Sequence, residues 1–257
     1  MKKLLLFLLC ALLSFNVFSQ EKKFRPVQIN FGFPLSTINV KKAKEYTNAF
    51  SINLLVGISK NERSLALAGI SNVIANNATG LQIASVSNYI GNAGYGIAVA
   101  GVTNINKGSY NGIQVSGVYN YSGSGNGIAV AGVANTSKDS YIGLQLSGVT
   151  NIAGDVKGLQ FAGVANIAKK VKGVQFATIL NVAEESDFPI ALINIIKNGK
   201  MGVALSYDIL NNTVLSFRSG GKYSYGILGV GYNGKVNDGS KVVAEAGYGI
   251  HIPVTDW

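Results

Sequence analysis

The sequence predicts an all-β protein: an antiparallel, up-and-down transmembrane β-barrel of about 16 strands, with a β-solenoid as the alternative architecture. Three observations lead there. A nine-residue unit that closes on asparagine recurs eight times at a spacing of fifteen or sixteen residues. Within each unit apolar residues alternate with small or amide-bearing ones, the period of two that marks a strand. The 257-residue chain is also only 13% charged, about half the ~25% of an ordinary soluble domain. Thirty-two glycines without a triplet period exclude collagen, and 47% apolar content argues against disorder.

At the amino end, Lys2 and Lys3 precede an apolar stretch from Leu4 to Leu13, and Val17-Phe18-Ser19 before Gln20 fits a signal-peptidase site. Residues 1–19 are therefore expected to be a signal peptide, followed by a single barrel domain over 20–257 with the repeat array at 64–187. The apolar stretch is shorter than the ~20 residues of a spanning helix. Cleavage near Ser19 removes two lysines and no acid, which lowers the net charge from +10 to +8, and it removes Cys10, the one cysteine. The exported chain then has no disulfide and no cysteine metal site.

The array runs SLALAGISN from Ser64, GLQIASVSN from Gly80, GIAVAGVTN from Gly96, GIQVSGVYN from Gly112 and GIAVAGVAN from Gly127. It continues with GLQLSGVTN from Gly143, GLQFAGVAN from Gly158 and GVQFATILN from Gly173. Gly, Asn, Ser and Asp in the linkers suit turns. Stacked parallel coils and an antiparallel meander both accommodate one strand per unit. Alternation of alanine and glutamine at the second place, from Ala66 through Gln82, Ala98, Gln114 and Ala129 to Gln145, gives a two-strand period and favours hairpins.

Charge placement favours the barrel as well. Between Ser64 and Lys157 the charged residues Lys107, Lys138, Asp139, Asp155 and Lys157 all fall in linkers, whereas a bilayer penalises charge on a strand's lipid face by ~2–4 kcal/mol at the midplane. Odd places after each glycine, such as Leu81 and Ile83, are then expected to face lipid. Even places face inward, with Gln82, Gln114, Gln145, Gln160 and Gln175 as candidate lumen-lining groups of a passive channel.

The flanks extend the same sheet. Pro26 to Phe33 and Ala49 to Ile58 read as strands around a lysine-bearing loop, Lys41 to Lys44. After the array come Pro189 to Ile196, Gly202 to Ile209, Thr213 to Arg218, Lys222 to Tyr232 and Lys241 to Ile252, with Tyr223, Tyr225, Tyr232 and Tyr248 as part of an aromatic girdle. The tally is fifteen, while a bacterial barrel needs an even number. Either Thr213 is miscounted or the chain stops one strand short of closure at Trp257.

The recurring G-[LIV]-Q-[ILVF]-[AS]-G-[VL]-x-N, followed by FPIALINIIKNGKMG from Phe188 to Gly202, resembles the surface-repeat proteins of Gram-negative bacteria over most of the exported chain. Ser64, Ser85 and Thr178 depart from its glycines. The resemblance implies an exported, surface-associated β protein and carries over no catalytic or ligand-binding residue.

Nothing in the chain composes a chemical site. His251 is the sole histidine, which excludes a multi-histidine metal centre. Glu184, Glu185 and Asp187 read as a solvated loop, and Gly123-Ser124-Gly125 lacks the helix that phosphate-cradling glycines need. The expectation is a non-enzyme without cofactors, a structural surface protein or passive channel in the outer membrane of a Gram-negative bacterium. Its basic charge, including Lys169, Lys170 and Lys172, points to outer-membrane lipid or lipopolysaccharide and not to nucleic acid. The alternative is a secreted or surface-attached β-solenoid acting as an adhesion or interaction module.

Overall fold

A computed structural model describes residues 23–32, 35–36, 40–235 and 241–251. The expected signal peptide and the ending at 252–257 lie outside them. Strand β1 (Phe24–Gly32) meets a two-residue antiparallel β2 (Leu35–Ser36), and a single helical turn, α1 (Val40–Ala43), stands where a loop is expected. Coils of two limbs follow: β3 (Thr47–Asn53) with β4 (Val56–Ser59), β5 (Asn61–Ala68) with β6 (Ser71–Ile74), and β7 (Ala78–Ala84) with β8 (Ser87–Ile90). After front limb β9 (Gly94–Ala100), each back limb runs without a break into the next front limb. This produces the long strands β10 (Thr103–Ser116), β11 (Tyr119–Ala131), β12 (Ala134–Ser147) and β13 (Thr150–Ala162). Short limbs return as β14 (Ala165–Ile167), β15 (Lys170–Ala177), β16 (Leu180–Ala183), β17 (Glu185–Ile190) and β18 (Ile193–Ile196).

Consecutive coils pair in parallel and in register. Gly96 lies beside Gly112, Ile97 beside Ile113 and Asn104 beside Asn120. The chain is therefore a β-solenoid of about ten turns. That overturns the antiparallel barrel, and with it the transmembrane strands, the porin-like channel and the tyrosine girdle. The physical reason lies in the ladders. In-register parallel stacking puts each residue on its own counterpart in the next coil, so a residue type that self-associates or fits a tight corner recurs once per turn.

Two glycine columns shape each coil. Gly80, Gly96, Gly112, Gly127, Gly143, Gly158 and Gly173 open the front limbs at φ between 85° and 136°, a region from which a Cβ is largely excluded. The second column turns the corner after the front limb. A Cβ on Gly117 would stand 2.1 Å from the carbonyl oxygen of Gly101 in the coil before, so the chain can approach that closely only without a side chain.

The last four strands form a separate antiparallel sheet, β19 (Met201–Tyr207), β20 (Asn212–Gly220), β21 (Ser224–Asn233) and β22 (Val242–Ile250), paired in chain order. Its β20–β21 end caps the final coil. Asn194 donates its backbone N–H to Ser219 Oγ at 2.9 Å, Ser224 donates to the Pro189 carbonyl at 2.8 Å, and Phe188 stacks on Tyr223 with centroids 4.9 Å apart.

Candidate functional site

The inside of the solenoid combines amide ladders with small apolar clusters, such as Ile74, Ile90 and Tyr110, and the front wall outside is apolar. Counting from the opening glycine as zero, places two and four of the front limb point inward and take Gln, Ala or Ser; place eight, on the back limb, takes Asn. The place two residues before the glycine also points inward, with Ala78, Tyr110, Tyr141, Val156 and Val171. Gln82, Gln114, Gln145, Gln160 and Gln175 are at most 3% exposed, so the groups expected to line a channel instead fill the core. Gln160 donates to Gln145 Oε1 at 2.8 Å and Gln175 to Gln160 Oε1 at 3.0 Å. These bonds replace the water a lumen would have supplied.

The asparagines form the longest ladder. From Asn72 through Asn88, Asn104, Asn120, Asn135, Asn151, Asn166 and Asn181 to Asn194, each side-chain amide donates to the next carbonyl oxygen at 2.9–3.1 Å. The same nitrogen reaches a front-limb carbonyl of the next coil, Asn120 to Val130 O at 2.7 Å for instance. The ladder thus staples the back limb to the front limb at every corner. At its far end Asn194 donates to Ser219 O at 3.2 Å, which ties the cap into the series.

Apolar side chains consequently occupy the front wall. One column runs in register from Val27 and Phe50 through Ile97 and Ile113 to Phe188, and a second from Ile29 and Ile52 through Val99 and Val115 to Ile190. A third column follows the corner glycines, from Val86 through Val118 and Val149 to Ile179, at 39–48% exposure. Spacings of ~4.8 Å between strands and ~3.3 Å along them make this wall roughly 40 Å by 15 Å, larger than the few hundred Å² of the usual apolar patch on a monomer. Between the second and third columns the glycine corners leave a furrow. One stretch of it, ≈ 420 Å³, lies among Val130, Leu146, Phe161, Phe176, Gly148 and Gly163. Phe161 and Phe176 form part of its rim, with ring centroids 5.8 Å apart. The corner valines occupy an even place and were expected to face inward with Gln82 and Asn88; the turn at the corner reverses that, and Val86 is 41% exposed.

A second feature unassigned from sequence is Glu62, buried at 4% exposure in the first coils. Asn48 Nδ2 and Ser51 Oγ donate to its Oε1 at 3.0 and 2.7 Å. Oε2 and Asn48 Oδ1 have no hydrogen-bond partner. Burial pushes the carboxyl up to about 7, against the lowering effect of those hydrogen bonds. The signal in the sequence was an acid in an inward-facing slot that Ala78, Gly94 and Tyr110 occupy in later coils.

The remaining candidates stay apart. His251 lies against Tyr225, 4.8 Å between centroids. Glu185 pairs with Lys170 at 3.3 Å, both half-exposed, an arrangement worth at most about 1 kcal/mol. No group of three metal-ligating side chains occurs among the described residues, and none of their helices is long and apolar enough to cross a membrane.

Fold and surface together define a capped parallel β-solenoid with an amide-laddered core and an apolar wall. No family model, curated protein or solved structure matches the chain.

Proposed function

We propose that this chain is an exported, surface-attached β-solenoid that serves as a non-enzymatic interaction module, with the apolar front wall as its working surface. The observation that supports this is the uninterrupted wall itself: three columns of branched and aromatic side chains without a charged residue, held rigid by a hydrogen-bonded core. Such a surface suits adhesion to an extended apolar partner. Export rests on Lys2 to Ser19, and placement at the surface of a Gram-negative outer membrane on the repeat's likeness to surface-repeat proteins. Attachment to lipid or lipopolysaccharide falls to the basic amino-terminal coils, where Lys23, Arg25, Lys42, Lys44, Lys60 and Arg63 outnumber Glu45 and Glu62.

The test is retention on an octyl-derivatised surface against an underivatised one, comparing the wild type with Leu146→Lys/Phe161→Lys. Loss of octyl retention in a variant with unchanged circular dichroism is expected. Equal retention of both would end the assignment of the front wall. In cells, release from the envelope by carbonate is expected; extraction by detergent alone would contradict surface attachment.

A further inference from the structure

The cap carries a second apolar surface. Its registers sort the side chains onto two faces. One face carries small and charged residues, among them Gly229, Ser216, Arg218 and Glu245, and a Cβ on Gly229 would meet its neighbours Val214 Cγ1 at 3.0 Å and Glu245 Oε2 at 3.1 Å. The other is large, apolar and open, with Val203 at 70% exposure, Leu205 at 73%, Val230 at 60% and Val242 at 67%. Leu215 and Tyr248 extend it across the four strands, and it bears no charge. A sheet normally buries its apolar face against a second layer, and among the described residues no layer covers most of this face.

We propose that this face is a homotypic interface, in which the caps of two copies pack against each other as the two layers of a β-sandwich. A two-fold axis makes the contact self-complementary, and two uncharged faces bring no like charges together. The open side chains expose on the order of 1,000 Å², above the ~800 Å² per partner of a standard interface. Two such sheets stack about 10 Å apart. The placement of the cap favours a second copy over a bilayer. Ser219 and Gly226 belong to the same face and rest on Asn194 and Ala191 of the last coil. The solenoid therefore stands on the side of the sheet that carries the apolar face, and a flat membrane meets the solenoid first. A narrow sheet fits beside it.

Sedimentation equilibrium of the exported chain from Gln20 tests this. The wild type is expected at twice the monomer mass at tens of micromolar, and Leu205→Lys/Val230→Lys at the monomer mass, its association at least about 100-fold weaker. Val99→Lys/Val130→Lys on the front wall keeps the dimer, which separates this interface from the surface of the proposed function. Because the exported chain has no cysteine, Val230→Cys supplies a second readout that leaves the sheet intact: mild oxidation should give a covalent dimer. A monomeric wild type overturns the proposal, as does a dimer that survives the cap substitutions or is lost through the front-wall ones. If the wild type is monomeric and floats with phosphatidylglycerol vesicles, and the cap variant does not, the face is a lipid contact instead.

Discussion

The ring of Tyr141 lies where a side chain on Gly125 would have to go: a Cβ there would stand 2.3 Å from Tyr141 Cε2. Tyr110 covers Gly94 one double unit earlier in the same way, at 2.4 Å. From Gly94 to Gln145 a coil with Tyr and Gln inward therefore alternates with one bearing Gly and Ala, because each tyrosine ring reaches over the glycine of the coil ~4.8 Å away. The two-strand period, which pointed to hairpins, is size alternation along a stack. Gly125→Val should cost about 1–3 kcal/mol by overpacking, and Tyr141→Ala about 3–5 kcal/mol through the cavity it leaves. The combination should cost less than the two effects together, since valine fills part of the vacated space; strict additivity in urea unfolding would refute this pairing.

The front limbs, with Gln inward and Leu or Ile outward, were legible in the repeat because period two is a local property; the corners were not, since the linkers that hold Lys107 and Lys138 run inside β10 and β12 and the chain turns instead at glycines such as Gly117. Strand direction is not local, and the lack of charge in the nine-residue units was misread as contact with lipid when it reflects an apolar front wall, the charges of Lys107, Lys138 and Asp155 lying elsewhere along β10, β12 and β13. One clue lay in plain view. Asn88, Asn104 and Asn120 occupy the same place in successive units, and an antiparallel neighbour would carry them to opposite ends, where no amide ladder can form. The carboxyl-terminal strands were located within a few residues, but their separation into a cap was not visible, since it depends on Ser219 and Ser224 meeting Asn194 and Pro189 in space. Glu62 was passed over because burial follows from the register.

Asn120→Ala should be among the costliest changes in the core. It removes one of the three acceptors of Asn104 Nδ2, takes the donor from Asn135 Oδ1 and withdraws the side-chain donor from Val130 O at that corner. One stranded buried acceptor at about 1–3 kcal/mol, with two further hydrogen bonds lost at about 0.5–1.5 kcal/mol each, suggests a loss of roughly 2–5 kcal/mol. Asn72→Ala, at the start of the ladder, strands less, because Asn72 Oδ1 already lacks a partner. Denaturant midpoints should rank wild type, then Asn72→Ala, then Asn120→Ala. The reverse order of the two variants would show that the ladder does not carry the corner.

Corner glycines should tolerate no side chain even where their backbone is ordinary. Gly117 lacks the positive φ of the limb-opening glycines, so alanine there is resisted by contact alone, its Cβ 2.1 Å from Gly101 O. Gly117→Ala is expected to lose more than about 3 kcal/mol, beyond the range of ordinary surface substitutions. Gly202→Ala, with nothing within 4 Å of its Cβ, should be neutral or slightly stabilising. Equal melting temperatures for the two variants would rule out crowding at the corner.

Glu62 should make the first coils less stable as pH rises. Burial raises its carboxyl to about 7 in the fold, from an ordinary 4.5. Between those values the folded chain holds a proton that the unfolded chain has lost. Stability therefore falls with rising pH across that window and levels off above about pH 7, by up to roughly 3 kcal/mol at 1.36 kcal/mol per unit. Below about pH 4.5 both states are protonated and the contribution is full. Protonated Oε2 also gains an O–H with which to donate, at a position that lacks a partner in the ionised form. Glu62→Gln keeps the shape, loses the charge and should remove this component. The variant should gain stability over the wild type at pH 8 and approach it at pH 4, measured by urea unfolding or by amide exchange in β3 and β5. A wild type and variant with parallel pH profiles would show that the carboxyl stays charged in the fold.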